Sequence, residues 1–349
     1  MGTLGLAAVG GLAGCSSDGG ERTATTTATA TGTPVEPQQT ETGDLPPYAN
    51  FVPDTADLVL LTTFDLQVES GHRVGSPPET VRDPLRYSSM TAAYVGSLLE
   101  LSVVAGESGL LAGSELPIAD FGFESQRLDT SGVRRALTVG TVGVLELPVD
   151  LESAIADAED GAGRVEFEAE DRAVIANPDG TRAGLTTDAV VFTPPTVDAE
   201  SPERLRDIVD TRAGARPPKH EADDGFASLL ANADATGSLA CGYAPDGTVE
   251  TLTGERASSS PVSLPTEGFG AATGAVFRID LDNGDEPQPA SGVMRFPEAA
   301  SLDLEAATES VGSAAADRSV TTDGGTVRVT GAYSWDALSE FEGSLIDAL

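Results

Sequence analysis

The chain has 349 residues, and its 56 acidic residues outnumber its 20 Lys and Arg residues, which gives a net charge of −36. Nucleic-acid binding requires a basic surface that displaces counterions from phosphates, so this composition excludes that class of function. An anionic membrane surface would also repel the folded part of the chain.

The chain opens with an apolar run at Leu4–Gly14, and small and polar residues follow it. A membrane-spanning helix needs roughly 20 apolar residues, whereas the core of a signal peptide needs about 7–15, so residues 1–14 predict a signal peptide. A core helix is the alternative, but each glycine in the run would weaken it by about 1 kcal/mol. Because no Lys or Arg precedes the run, we expect the coding sequence to start upstream of Met1 and to carry a twin-arginine pair there.

The tetrad Leu12-Ala13-Gly14-Cys15 resembles the lipobox of prokaryotic lipoproteins. The resemblance implies that the Cys15 thiol is alkylated by a lipid and that Cys15 becomes the first residue of the mature chain. Two acyl chains hold a protein firmly on a membrane, whereas a single chain binds only marginally. The resemblance therefore implies a lipid-anchored protein on the extracellular face of the cell membrane.

Residues 15–47 combine this cysteine with a segment rich in Thr, Gly and Pro that has little to bury, which predicts a disordered tether. A flexible coil of this length spans roughly 30 Å. Globular patterning begins near Tyr48 and continues to Leu349, and we expect a first lobe over residues 48–235 and a second over 236–349.

The first half of the globular part predicts strands that alternate with helices. The predicted elements are a buried strand at Asp57–Leu66, a helix at Ser88–Ala105, a long strand at Val133–Leu147, a short helix opened by Pro148 and Asp150, a four-strand meander from Arg164 to Pro195 that turns at Asn177–Gly180, and helices beginning at Ser201-Pro202 and covering Gly225–Ala233.

The second half repeats this order loosely. It predicts strands at Gly237–Tyr243, Ala271–Leu281 and Ser291–Phe296, a helix at Pro297–Ala316, a strand pair around Gly324-Gly325, and a final helix at Trp335–Leu349 that places Leu338, Phe341, Leu345 and Ile346 on one face. We therefore expect an α+β fold of antiparallel meanders with packed helices, and the repeated order raises the hypothesis of two related lobes.

The acidic residues are spread through apolar-patterned segments, and Lys219 is the only lysine. This composition resembles that of proteins from halophilic archaea. An acidic mesophilic protein with a disordered tail is the alternative, but its acids would be gathered into one run. In 1 M salt the Debye length falls to about 3 Å, which screens most of the repulsion between the acids.

Four segments together are similar to the DUF3352-type lipoproteins of halophilic archaea. The segments are Ala49–Leu66, Leu147–Asp160, the meander from Arg164 to Phe192, and Phe226–Ala233. Because that family has no agreed activity, the resemblance implies an architecture and a compartment but no chemistry.

The sequence nominates no catalytic, cofactor-binding or metal-binding residue. His72 and His220 are the only histidines, they are far apart in the chain, and both are expected in solvated loops, so a zinc site is disfavoured. Cys241 lies in the short apolar run GSLACGYAP, where a free cysteine usually behaves as a small buried hydrophobic residue.

The segment Asp280–Glu286 has carboxylates at alternate positions beside Gly284, as in a calcium-binding loop. However, the glycine stands one position early for an EF-hand, and no glutamate follows at the twelfth position. Asn283-Gly284 between two apolar strands is also a strong hairpin signal, so we favour a hairpin.

These observations favour a lipid-anchored binding or structural module without enzymatic activity. The alternatives are the solute-binding subunit of an ABC-type importer, which has the same layout of lipobox, linker and two lobes, and an exported hydrolase that uses paired carboxylates. Against the importer subunit, aromatic residues make up only 5% of the chain, which is few for a cleft that stacks on its ligand.

The charge analysis predicts that the folded protein requires salt. When the salt concentration is lowered from molar to millimolar, the acidic residues repel one another without screening, and the far-UV circular dichroism spectrum should become that of an unfolded chain. A folded spectrum that persists in low-salt buffer would contradict the halophilic interpretation.

Overall fold

The protein is described from a computed structural model. The described residues are 45–57, 59–65, 83–86, 134–140, 142–160, 163–176, 182–192, 202–231, 237–249, 268–281, 286–297 and 304–339. Residues Thr42–Leu349 form one compact unit. The predicted signal peptide, most of the predicted tether and the predicted helix at Ser88–Ala105 lie outside the described residues.

The described strands form one antiparallel sheet. They are β1 (Val59–Asp65), β2 (Arg135–Val139), β3 (Val142–Glu146), β4 (Arg164–Ala169), β5 (Arg172–Ala176), β6 (Arg182–Thr186), β7 (Ala189–Phe192), β8 (Ser238–Tyr243), β9 (Gly274–Ile279), β10 (Gln288–Arg295), β11 (Ala316–Asp323) and β12 (Thr326–Tyr333). The order across the sheet is β11-β12-β10-β9-β8-β1-β2-β3-β7-β6-β5-β4. Strand β1 therefore joins the strands of the first half to those of the second.

The helices among the described residues are short. Those with defined bounds are a 3-10 helix at Pro47–Phe51, α1 (Leu151–Asp160), α2 (Pro202–Arg212), α3 (Lys219–Ala222), α4 (Asp224–Leu230), α5 (Leu304–Ser310) and α6 (Trp335–Ser339). A mostly antiparallel sheet with a few helices agrees with the predicted α+β class.

Both faces of the sheet bury apolar side chains. In β7, Ala189 and Val191 belong to one core cluster, whereas Val190 and Phe192 belong to another. Because successive side chains of a strand point to opposite faces, the two clusters lie on opposite sides of the sheet. This double burial explains why β3, β7 and β8 contain no exposed residue, unlike the edge strands β4 and β11, where most side chains are half-buried or exposed.

The largest cluster occupies the first of these faces. It joins side chains of the 3-10 helix, α2 and α4 to side chains of the central strands, including Tyr48, Phe51, Leu61, Val144, Val191, Leu205, Val209, Phe226, Leu239, Cys241 and Val276. On the opposite face, one cluster contains residues of α1, and another contains Phe277, Met294, Val311 and Val329.

The prediction of one long strand at Val133–Leu147 is wrong, because this segment forms the hairpin of β2 and β3. Val139 pairs with Val142, so only two residues connect the strands. The first of them, Gly140, has a φ of 67°, a left-handed conformation that glycine adopts without steric cost. The backbone N–H of Gly140 also donates to the carbonyl of Leu60 at 2.7 Å, which fixes the turn against β1.

Most other predicted elements of the first half agree with the structure. The strand predicted at Asp57–Leu66 is β1, and the four-strand meander is β4 to β7. The short helix predicted after Pro148 is α1, and the Asp150 carboxylate accepts a hydrogen bond from the Ser153 N–H at 3.2 Å at its start. Both predicted helices after the meander are also present, as α2 and α4.

In the second half, the predicted strands correspond to β8, β9 and β10, and the pair around Gly324-Gly325 is β11 and β12. The helix predicted at Pro297–Ala316 is too long, because α5 ends at Ser310 and β11 already begins at Ala316. The Gly312 backbone, with a φ of 71°, helps to end the helical segment. Residues beyond 339 of the predicted final helix lie outside the described residues.

Helix α2 approaches the sheet closely at Gly184 in β6. A Cβ atom at Gly184 would overlap Cγ2 of Val209 and would lie 2.9 Å from Cδ2 of Leu205. Both partners are buried side chains of α2, so they have little room to move away. The absence of a side chain at residue 184 is therefore what allows α2 to lie on the sheet.

We predict that Gly184→Ala destabilises the protein by about 1–3 kcal/mol, because the new methyl group overpacks this contact. The matched control is Gly247→Ala, where the added Cβ would meet only Ala244 at an ordinary 3.5 Å and should change stability by less than about 0.5 kcal/mol. Denaturant unfolding in molar salt measures both variants. Equal stabilities of the two variants would contradict the packing described here.

Candidate functional site

Among the cysteines, only Cys241 belongs to the described residues, and Cys15 lies outside them. Cys241 is in β8 and is 3% exposed, and burial raises the pKa of its thiol. A buried thiol with a raised pKa is poorly suited to nucleophilic chemistry. The prediction of a small buried hydrophobic residue is confirmed.

The prediction that both histidines lie in solvated loops can be compared with the structure only at His220. His72 lies outside the described residues, whereas His220 lies in α3, where its Nδ1 atom is buried and has no hydrogen-bond partner among the described residues. The prediction of a solvated loop is therefore wrong for His220. Its neighbour Lys219, the only lysine of the chain, is also buried, with 6% of its surface exposed.

The most concentrated group of polar side chains near these residues surrounds Asp223, which caps the N-terminus of α4. One carboxylate oxygen, Oδ1, accepts from the N–H of Gly225 at 2.9 Å, from the N–H of Phe226 at 3.1 Å and from the Tyr243 hydroxyl at 2.8 Å. The Lys219 ammonium lies 3.7 Å from the other oxygen, Oδ2. It also lies 5.9 Å from the centre of the Tyr243 ring. We call these residues the Asp223 cluster.

The charges and hydrogen bonds of the Asp223 cluster determine the protonation states of Asp223 and Tyr243. Burial alone would raise the pKa of Asp223, but the Tyr243 hydroxyl, the Phe226 N–H and the Lys219 charge outweigh it, and the pKa is lowered. Burial and the neighbouring carboxylate raise the pKa of Tyr243. The carboxylate is therefore ionised and the phenol neutral at neutral pH, an arrangement that caps a helix and fastens it to β8.

A second set of polar contacts ties α2 to the meander strands. The Arg172 guanidinium donates to Asp210 at 2.7 Å and to Asp171 at 2.8 Å, and Arg212 donates to Asp188. The guanidinium groups of Arg206 and Arg172 both lie over the Phe167 ring, at 4.2 Å and 5.5 Å from its centre.

The pKa values in this region reflect the same ion pairs. A hydrogen bond from Arg182 is the largest influence that lowers the pKa of Glu166. Burial would raise the pKa of Asp188, but the hydrogen bond from Arg212 lowers it overall. These arginines thus neutralise neighbouring carboxylates within the acidic chain.

A shallow groove of about 490 Å³ runs beside the start of α1. Leu151, Ile155 and Ala169 form its apolar part, and its polar part is made of Glu152, Glu168 and Glu170. All three glutamates are exposed, and the groove does not adjoin the Asp223 cluster in the fold, because it lies between α1 and β4.

The hairpin favoured for Asp280–Glu286 is confirmed at the level of its strands, because β9 and β10 are antiparallel neighbours with Ile279 opposite Ala290. Residues 282–285 lie outside the described residues. Asp280 accepts a hydrogen bond from Arg278 at 3.0 Å, so its carboxylate is already paired with a guanidinium. Among the residues that the structure describes, no three His, Cys, Asp or Glu side chains are grouped to hold a metal ion.

No helix in the described part of the chain is both long enough and apolar enough to cross a bilayer.

The Asp223 cluster was not identified from the sequence. The signal was present only in part: an aspartate directly before a helical segment is a typical N-cap, but nothing in the sequence pairs Asp223 with Tyr243. The two residues come together only because β8 pairs with β1 and β9, which places Tyr243 beside α4.

Comparisons with known proteins give few matches. No protein-family model matches the chain, and no curated protein matches it. The chain is similar to the solved structure of crystal form III of TP0453 at 8% sequence identity, with a TM-score of 0.36, over 86% of this chain and 98% of that chain. Crystal form I of TP0453 gives 8% identity and a TM-score of 0.36, over 84% of this chain and 95% of that chain. A likeness at this level supports no conclusion about fold or function.

We predict that Asp223→Asn lowers stability at pH 6 by about 1 kcal/mol, because the side chain loses the charge that strengthens its hydrogen bonds at the N-terminus of α4. The pKa of Asp223 is lower in the folded than in the unfolded protein, so its contribution is complete above about pH 4 and is lost as the pH falls through the folded-state value. The difference in stability between wild type and variant should therefore shrink on acidification.

Urea unfolding in molar salt at pH 6, 4 and 3 measures this difference. The matched control is Asp224→Asn, which changes the exposed neighbour in the same turn. A gap between wild type and Asp223→Asn that stays constant from pH 6 to pH 3 would contradict the role of the Asp223 carboxylate.

Proposed function

We propose that this chain is a lipid-anchored extracytoplasmic protein of a halophilic archaeon, which acts as a binding or structural module without enzymatic activity. The lipobox ending at Cys15 and the acidic composition support the compartment. The observation that carries the proposal is the way in which the segment after the tether is built into the core.

The segment is buried from its first turn. Tyr48 is 1% exposed, and Phe51 and Val52 are 0% exposed, although they directly follow the predicted tether. The guanidinium of Arg135 lies 5.2 Å from the centre of the Tyr48 ring, and that of Arg212 lies 4.8 Å from the centre of the Phe51 ring. Such contacts add an electrostatic attraction to the burial of each ring.

Polar contacts fasten the segment a second time. The Lys219 N–H donates to the Val52 carbonyl at 2.8 Å. Arg216 donates to the Thr55 hydroxyl at 3.3 Å and forms an ion pair with Asp207 at 3.0 Å, and Thr55 itself donates to Asp207 at 3.1 Å. The folded domain therefore holds this segment through hydrogen bonds as well as burial. This supports the proposal that the domain is held at a surface by the tether attached to this segment.

The described polar clusters also favour a role other than catalysis. The Asp223 carboxylate caps a helix, accepts a hydrogen bond from a phenol and pairs with an ammonium group, and Cys241 is buried. Side chains that serve in catalysis usually keep an atom accessible to substrate. This use of polar groups inside the fold supports a binding or structural module.

We further propose that the two halves are related lobes whose helices pack on the shared sheet. In the first half, β1 to β3 form a meander, α1 follows, and the last returning strand, β7, pairs with β3. In the second half, β8 to β10 form a meander, α5 follows, and the last returning strand, β12, pairs with β10. A repeated path of this kind is what duplication of one ancestral unit would produce.

The importer hypothesis is less well supported. A solute-binding subunit needs a cleft between its lobes, whereas the described strands of the two halves continue into one another through β1 and β8. The described residues offer no observation that favours an exported hydrolase.

We predict that Cys15→Ser releases the protein from the membrane fraction, because the hydroxyl cannot form the thioether that carries the lipid. Cys241→Ser is the matched control and should leave the protein in the membrane fraction. The measurement is fractionation of cells in molar salt, with mass spectrometry of the mature N-terminus. Wild-type protein found only in the cytosol, or an unmodified thiol at Cys15, would contradict the proposal.

A further inference from the structure

Four described residues, Asp83–Arg86, belong to the long connection between β1 and β2 in the first half of the chain. All four are buried, and Asp83 is 3% exposed, Leu85 0% and Arg86 5%. A buried carboxylate in a connection is costly unless all of its oxygens are hydrogen-bonded.

The partners of Asp83 satisfy this requirement, and most of them belong to the second half. Oδ1 accepts from the N–H of Leu85 at 3.1 Å and from the N–H of Gly312 at 2.7 Å. Oδ2 accepts from the N–H of Ala314 at 3.0 Å and from the Tyr333 hydroxyl at 2.8 Å. The carboxylate therefore links the connection to the turn after α5 and to the end of β12.

Leu85 adds an apolar contact between the β1–β2 connection and the second half. It belongs to the cluster on the second half of the sheet, together with Phe277, Met294, Val311 and Val329. A Cβ atom on Gly312 would lie only 3.3 Å from Cδ2 of Leu85, so the glycine leaves the space that the leucine fills. Burial of this leucine side chain stabilises the folded state, because its apolar surface is removed from water.

The surrounding charges hold the donors in place. Arg318 donates through Nε at 2.9 Å and through Nη2 at 2.6 Å to the Val311 carbonyl, which fixes the turn that binds Asp83. Burial, with the Asp83 charge, raises the pKa of Tyr333, while Arg86 and Arg318 oppose the rise. The Tyr333 phenol is thus protonated and available as a donor at neutral pH.

We propose that Asp83–Arg86 forms a clasp, which fastens the β1–β2 connection of the first half to the second half and makes the two halves unfold as one cooperative unit. The clasp is a further link between the halves, separate from the β1–β8 pairing and from the bond between Asp223 and Tyr243. Its hydrogen bonds join a buried carboxylate to neutral donors, so salt screens them much less than it screens surface charges.

The second half contains a fluorescent side chain that reports on its unfolding. Trp335 is the only tryptophan of the chain, and it packs against the same cluster as Leu85. Its fluorescence follows the second half during denaturation, whereas far-UV circular dichroism follows the secondary structure of both halves. If the clasp couples the halves, the two signals must change together in the wild-type protein.

The test compares Tyr333→Phe with Thr186→Val in the full chain, in molar salt. Each variant removes one hydroxyl that donates to an aspartate, at 2.8 Å for Tyr333 and at 2.9 Å for Thr186. Tyr333 bonds to the clasp, whereas Thr186 and its partner Asp188 both belong to the first half. In Tyr333→Phe the folded-to-unfolded ratio reported by Trp335 should fall roughly tenfold, and its midpoint should drop below the midpoint from circular dichroism. In Thr186→Val the two midpoints should stay together, because the lost bond lies within one half.

Asp83→Asn should separate the midpoints further, because the amide cannot accept all of the donors that the carboxylate accepts. If that variant does not fold, Tyr333→Phe alone decides the outcome. The proposal is overturned if the wild-type midpoints differ, if the midpoints of Tyr333→Phe coincide, or if Thr186→Val separates them equally.

Discussion

The pairing of β1 with β8 is the interaction on which the rest of this structure depends. β1 hydrogen-bonds to β2 on one side and to β8 on the other, with Leu61 opposite both Val139 and Cys241. Without this pairing the strands of the two halves would form separate sheets with an open edge each. The 3-10 helix and α4 bury apolar side chains in one cluster with these central strands. Two separate sheets would divide that cluster.

The second constraint is charge. A chain with a net charge of −36 must limit repulsion among its carboxylates, and the structure uses arginines to do so. Arg172 contacts two carboxylates, and Arg216 lies near Asp54 and Asp207. Arginine suits such positions because its planar group donates several hydrogen bonds in fixed directions. Exposed carboxylates in the described part of the chain, such as Glu152, Glu168 and Glu170, face the solvent, where their repulsion depends on salt.

Much of the fold could be predicted from local sequence patterns. The meander β4 to β7 has short apolar strands separated by polar turn residues, and each strand pairs with its neighbour in the chain, so local signals were sufficient. The hairpin of β2 and β3 was missed because β-branched residues continue on both sides of the turn, and the only signal was Gly140.

The buried polar groups could not be predicted in the same way. Asp83 contacts residues more than 200 positions away in the chain, as Gly312 and Tyr333 show. Lys219 follows two prolines and precedes charged residues, which is typical of a loop, yet it is buried, and its backbone N–H donates to the Val52 carbonyl just after the 3-10 helix. Such burial follows from the long-range order of strands, which a single sequence does not reveal.

The register of β1 against β8 is the most direct test of this account. In a Cys15→Ser background, Leu61→Cys places a second thiol opposite Cys241, and opposed residues of antiparallel strands lie within the Cα separation that a disulfide needs. Mild oxidation should then link residues 61 and 241, as peptide mass spectrometry would show. Leu60→Cys, opposite Gly242 and on the other face, should stay reduced. Two free thiols in the Leu61→Cys protein, or an equal yield of disulfide from Leu60→Cys, would contradict the central pairing.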